Sequence, residues 1–134
     1  ARDLGIENRV TFTGIIARDD VARHVAAFDI ALQPAVVAYA SPLKLFEYLA
    51  LGKAIIGPAQ PNIEEILSQN HNAVLFDPAR PEAMAGAIES LCNDTALREK
   101  VARNARATIG DQHLTWHANA RRVTDLFKGM LHRA

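Results

Sequence analysis

Apolar residues run along this chain in two alternating rhythms. Four short runs, residues 10–13, 29–33, 54–56 and 73–76, are rich in aliphatic and β-branched side chains, and each meets Gly or Pro at or just after its end, at Gly14, Pro34, Gly57-Pro58 and Pro78. Apolar runs punctuated by turn formers predict strands. The second and third are too apolar for a half-wet sheet and predict strands covered on both faces. Between the runs the spacing becomes helical. Val21, Val25 and Phe28 share a face behind Asp19 or Asp20 as cap. Ser41 and Pro42 open a second helix, with Ser41 as N-cap and Pro42 in the first turn, and Gly52 closes it. Pro61 opens a short third through Ile63, Ile66 and Leu67. Met84, Ile88 and Leu91 stripe a fourth, Leu97, Val101 and Ala105 a fifth, and residues 116–131 form a long last one. Strands alternating with helices predict an α/β fold, Rossmann-like, with a parallel sheet of about four strands and helices on both faces.

Composition narrows the picture. The 134 residues make one domain, and 49% hydrophobic with 22% charged residues excludes disorder. Fifteen basic residues balance fifteen acidic ones, which argues against a general nucleic-acid binder. The longest unbroken apolar run, residues 35–40, is far too short for a transmembrane segment. A lone cysteine, Cys92, excludes an internal disulfide, reads as a small packing residue and suggests a reducing, cytoplasmic setting. The chain opens on Ala1 with no charged-then-apolar leader, as expected of a piece of a longer protein. Charge is uneven: residues 1–97 hold 7 basic and 12 acidic side chains, residues 98–134 hold 8 and 3. Either the last two helices have solvated basic faces or they dock against an acidic neighbour.

The segment richest in chemistry runs from Ser41 to Gly52. It follows the strand ending at Pro34, so its helix should open at the carboxyl edge of the sheet, where open α/β sheets bind ligands. The N–H groups of Leu43 and Lys44 there offer a seat for phosphate. Lys44 places a cation in the first turn, opposing the dipole by about 0.3–1 kcal/mol. That misplacement fits either an anionic ligand or a pair with Glu47 one turn on. Glu47 shares the face and could accept hydrogen bonds from sugar hydroxyls, or serve only as that surface partner.

These residues resemble a known family. Ser41-Pro42-Leu43-Lys44-Leu45-Phe46-Glu47-Tyr48-Leu49-Ala50, then Gly52-Lys53-Ala54-Ile55-Ile56, is similar to the nucleotide-sugar half of retaining GT-B glycosyltransferases of the group-1 (family 4) class. Residues 4–14, 29–34, 62–67 and 72–78, and Thr115-Trp116, resemble other pieces of that half in the same order. The resemblance implies that residues 1–134 are a partial C-terminal donor-binding domain, the truncated second half of a GT-B fold. It assigns the ribose to Glu47, the diphosphate to the backbone near Leu43 and Lys44, and the base to Gly14 and Ile15. The first glutamate of the family's pair falls at position 39, where this chain has Tyr39. Ser41 and Lys44 are the residues able to compensate. The parent would transfer a sugar, with retention, from a nucleotide-diphosphate sugar to an unidentified acceptor. It would use no metal or other cofactor and be cytoplasmic, with a membrane-peripheral place left open.

The same resemblance implies absent parts: the first two strands of this half, a basic pair that grips phosphate, and the whole acceptor half with its histidine. The piece alone is therefore expected to be inactive. The missing strands would separate residues 10–13 from 29–33 and leave two open strand edges. Either the first run moves beside the second, or two copies form a homodimer by exchanging strands. Two alternative functions are a GT-B nucleotide-sugar epimerase and a non-catalytic nucleotide-binding or assembly module. No G-x-G-x-x-G occurs, against a dinucleotide oxidoreductase. The remaining features have structural readings: Trp116 as a core anchor, Glu64-Glu65 in a first helical turn or near the sugar, and His24, His71, His113, His117 and His132 as scattered side chains without a metal role.

Overall fold

A computed structural model describes residues 1–35, 37, 39 and 42–131. Three strands, β1 (Ile30–Leu32), β2 (Ala54–Pro58) and β3 (Val74–Phe76), form a parallel sheet in the order β1-β2-β3. Six α-helices accompany them: α1 (Arg18–Ala26), α2 (Leu43–Ala50), α3 (Pro61–Glu64), α4 (Ala83–Asn93), α5 (Thr95–Asp111) and α6 (Trp116–Leu131). The fold class is the expected one, with three strands rather than four. Residues 10–13 form no strand; they follow two single-turn 3-10 helices, and Phe12 is 89% exposed. The run has strand composition but no neighbour to supply ladder bonds, so it neither lies beside β1 nor joins any sheet among the described residues.

Register explains the two cores. Ala31 pairs with Ile55, and Gly57 with Leu75, so these point to one face. There Ala31 and Ile55 pack with Val25 of α1, Leu45, Tyr48 and Leu49 of α2, and Ile63 of α3. On the other face Ala54, Ile56, Val74 and Phe76 meet Ala87 and Leu91 of α4 and Val101 of α5. The central strand β2 is buried throughout. β1 is covered less fully than its composition predicts, since Leu32 is 40% exposed.

The sheet's two sides end differently. Beyond β3, the Gln69 side chain accepts the outward Leu75 N–H, and the Ala73 carbonyl accepts from Asn70 N at 2.8 Å. No such guard covers β1 among the described residues. Lys53, just before β2, donates from Nζ to the carbonyls of Ala26 (2.6 Å) and Phe28 (3.0 Å), tying the end of α1 to the sheet. A buried polar knot holds the turn before β3: Asn72 donates to Ile66 O and Thr108 Oγ1 and accepts from Ser68 N.

Helix ends follow their residues with two exceptions. Asp94 caps α5, accepting the Leu97 N–H at 2.8 Å, and Pro61 takes the first position of α3. Asp19 and Asp20 lie inside the first turn of α1, whose N-cap is Ala17. Cys92 is exposed rather than packed. Trp116 is 88% exposed and anchors no core, because α6 buries none of its residues.

Candidate functional site

The β1–α2–β2 unit is a parallel crossover, so α2 runs back against the strands and its first turn opens at the carboxyl edge of the sheet. The loops there are joined. Gln33 N–H reaches Ile56 O at 2.8 Å, and Asn62 Nδ2, at the start of α3, donates to Val37 O at 3.2 Å. The segment after β1 is thereby held beside the loop after β2.

Pro42 is the N-cap of α2, with extended φ −74° and ψ 108°, and its carbonyl accepts the Leu45 N–H at 3.0 Å. The expectation of Ser41 as cap and Pro42 inside the helix is thus corrected by one residue; Ser41 itself lies outside the described residues. Leu43 and Lys44 become the first two helical positions, whose N–H groups have no intrahelical acceptor. The other end is a Schellman closure: Gly52 adopts φ +61°, its N–H bonds Leu49 O, and Lys53 N–H bonds Tyr48 O, each at 3.0 Å. An added Cβ at Gly52 would meet Arg106 Cβ at 3.4 Å.

Leu45, Tyr48 and Leu49 are buried, which fixes the rotation of α2 and leaves Leu43, Lys44 and Glu47 exposed. Lys44 and Glu47 form no ion pair with each other. The surface-pair reading of these two residues is therefore absent from the structure. Burial, with a smaller contribution from Glu47, pushes the Tyr48 phenol above the ordinary tyrosine range. Gln60, the N-cap of α3 at the same edge, has a buried Oε1 without a hydrogen-bond partner. The sequence reading noticed its loop but not this atom, whose burial depends on packing between loops.

Not every predicted residue is drawn together. Gly14 takes a left-handed turn at φ +66°, and Ile15 beside it is fully exposed. Tyr39 is 91% exposed, on the loop leading to α2. No contact joins Gly14, Ile15 or Tyr39 to Lys44 or Glu47 among the described residues. Beside Leu43 lies a cavity of about 350 Å³, walled by Phe46, Leu114, Trp116 and Arg122. A larger open groove of about 840 Å³ follows α6 and includes none of the predicted donor residues, so size alone does not place the site. Glu64 occupies the first turn of α3 and is exposed. Among the described residues no group of three His, Cys, Asp or Glu side chains could hold a metal ion.

A parallel sheet between helices, with a helix mouth and two joined loops at its carboxyl edge, defines a Rossmann-like ligand-binding module. The sequence profile described as "Glycosyl transferases group 1" matches residues 1–108, and the chain belongs to that family. It is 27% identical over 133 residues to the D-inositol 3-phosphate glycosyltransferase of Corynebacterium kroppenstedtii, covering 99% of this chain and 29% of the relative. Its fold is similar to that of sucrose-phosphate synthase from Thermosynechococcus elongatus, with TM-score 0.82, 22% identity, and 99% of this chain on 33% of the other. It is similar too to Anabaena HepE in complex with UDP, with TM-score 0.83, 23% identity, and 96% of this chain on 34% of the other. The chain spans about a third of the length of the curated relatives it matches first. Neither the epimerase nor the assembly alternative is favoured by these likenesses.

Proposed function

We propose that this chain is the donor-binding part of a retaining glycosyltransferase, with the nucleotide diphosphate seated on the first turn of α2. The observation that carries the reading is that turn: exposed Leu43 and Lys44 at a helix start on the carboxyl edge, with Lys44 not neutralised by Glu47. In this reading the diphosphate accepts from the Leu43 and Lys44 N–H groups, and the Lys44 ammonium adds charge where the leaving group forms. Glu47 accepts from the ribose hydroxyls, and Gly14 and Ile15 face the base. Pro42 sets the entry to the helix, and Ser41 would add a hydroxyl at its lip. Tyr39 stands where the family has a carboxylate toward the transferred sugar, so a phenol there changes which sugar is held. The orphan Gln60 Oε1 is a ready acceptor for a sugar hydroxyl. HepE is described in complex with UDP and with UDP-glucose, which makes uridine nucleotides the first probes.

The acceptor, the catalytic histidine and turnover belong to the rest of a parent protein, and a homodimer through the open β1 edge belongs to the same reading. The test is calorimetric titration of the chain with UDP, GDP, ADP and UDP-glucose. Saturable binding of one nucleotide, weakened by about 1.5–3 kcal/mol in Glu47→Ala, is the expected result. An unchanged dissociation constant in that variant removes Glu47 from the site; no binding of any nucleotide removes the reading.

A further inference from the structure

We propose that α6 is a membrane-surface helix that lays its apolar stripe into an anionic lipid interface. This goes beyond the donor-site reading and does not rest on it. α6 is 16 residues long and buries none of them, yet its apolar residues are sharply sorted. At about 100° per residue, Trp116, Val123, Phe127 and Met130 fall within one narrow arc, with Ala120 between them. Trp116, Phe127 and Met130 are 88%, 63% and 68% exposed.

The charges say what kind of surface that stripe meets. On the same wheel His117 and Lys128 border one side and Arg122 the other, while Asp125, the helix's one acidic residue, points diametrically away. Cations at the borders of an apolar stripe can keep their heads in a headgroup layer while their stems follow the chains inward. A second copy of α6 would bring basic borders face to face, which opposes self-pairing. The net positive charge of residues 98–134 extends the attraction beyond the helix. No described helix is long and apolar enough to cross a membrane, so α6 would lie on one. Its start is fixed, since Ala118 N–H bonds Thr115 Oγ1 at 3.1 Å and Asn119 N–H bonds Thr115 O at 2.9 Å.

Trp116 is the chain's single tryptophan and therefore a built-in reporter. The 134-residue chain is mixed with vesicles of phosphatidylcholine alone, or with phosphatidylglycerol added, and followed by co-sedimentation and Trp emission. The expected result is a blue shift and binding about tenfold tighter to the anionic vesicles, weakening as salt rises. Phe127→Glu should abolish both signals. Arg122→Glu with Lys128→Glu should remove the preference for phosphatidylglycerol. Phe12→Ser, an equally exposed aromatic outside α6, should change neither. Absence of vesicle binding, equal binding to neutral vesicles, equal loss in Phe12→Ser, or a vesicle-free dimer that shifts Trp116 emission would each overturn the proposal.

Discussion

Lys44 is the residue whose local chemistry is least comfortable. It puts a positive charge on the positive end of α2 with no carboxylate from Glu47 to balance it. Lys44→Met should therefore stabilise the free chain by about 0.3–1 kcal/mol at low ionic strength, by urea denaturation, while weakening nucleotide binding in the same preparation. A variant neutral for both would mean that the ammonium serves neither role. Tyr48 carries a pH dependence. Its phenol is raised above the usual value near 10, first by burial and then by Glu47, so folding favours the neutral form. That contribution is whole below pH 10 and fades as pH rises through the folded value. Urea midpoints should fall above pH 10, and Tyr48→Phe should remove that part of the fall. Asn72 is a starker case: buried and bonded three ways, it should cost about 1–3 kcal/mol as Asn72→Ala, because Ser68 N–H and Thr108 Oγ1 lose partners.

Among elements, what a short stretch of sequence can decide was readable, and what needs a distant neighbour was not. Asp94 caps α5 because its own carboxylate reaches an N–H three residues on. Asp94→Ala should cost about 1 kcal/mol, and Ile55→Ala, which empties a space between β2 and α2, about 2–5 kcal/mol. Equal losses in the two variants would contradict the packing described for β2. The bounds of α6 and the glycine stop after α2 were legible for the same local reason. Residues 10–13 were misread because strand composition alone makes no strand; the ladder partner is a non-local fact. Trp116 was misread because a large aromatic at the head of an amphipathic helix looks alike whether the apolar side is covered or bare. Within the candidate site the helix mouth and Glu47 could be found from spacing. The buried Oε1 of Gln60 could not, since it depends on how the loop after β2 settles in the fold.

At the scale of the whole molecule, protection should grade outward from β2. Hydrogen exchange should be slowest at Ile55 and Ile56, which sit between two cores, and fastest across residues 1–17, none of which is buried. Comparable rates in both regions would contradict the layering. The lopsided finish of the sheet has a further consequence. With Gln69 and Asn70 stoppering β3 and nothing comparable over β1, β-addition has a polarity, like a zipper with its stop sewn at one end. Any strand recruited from outside must enter at Ile30–Leu32 and add on that flank alone, so stacking can lengthen the layer in one direction but never seal it into a ring.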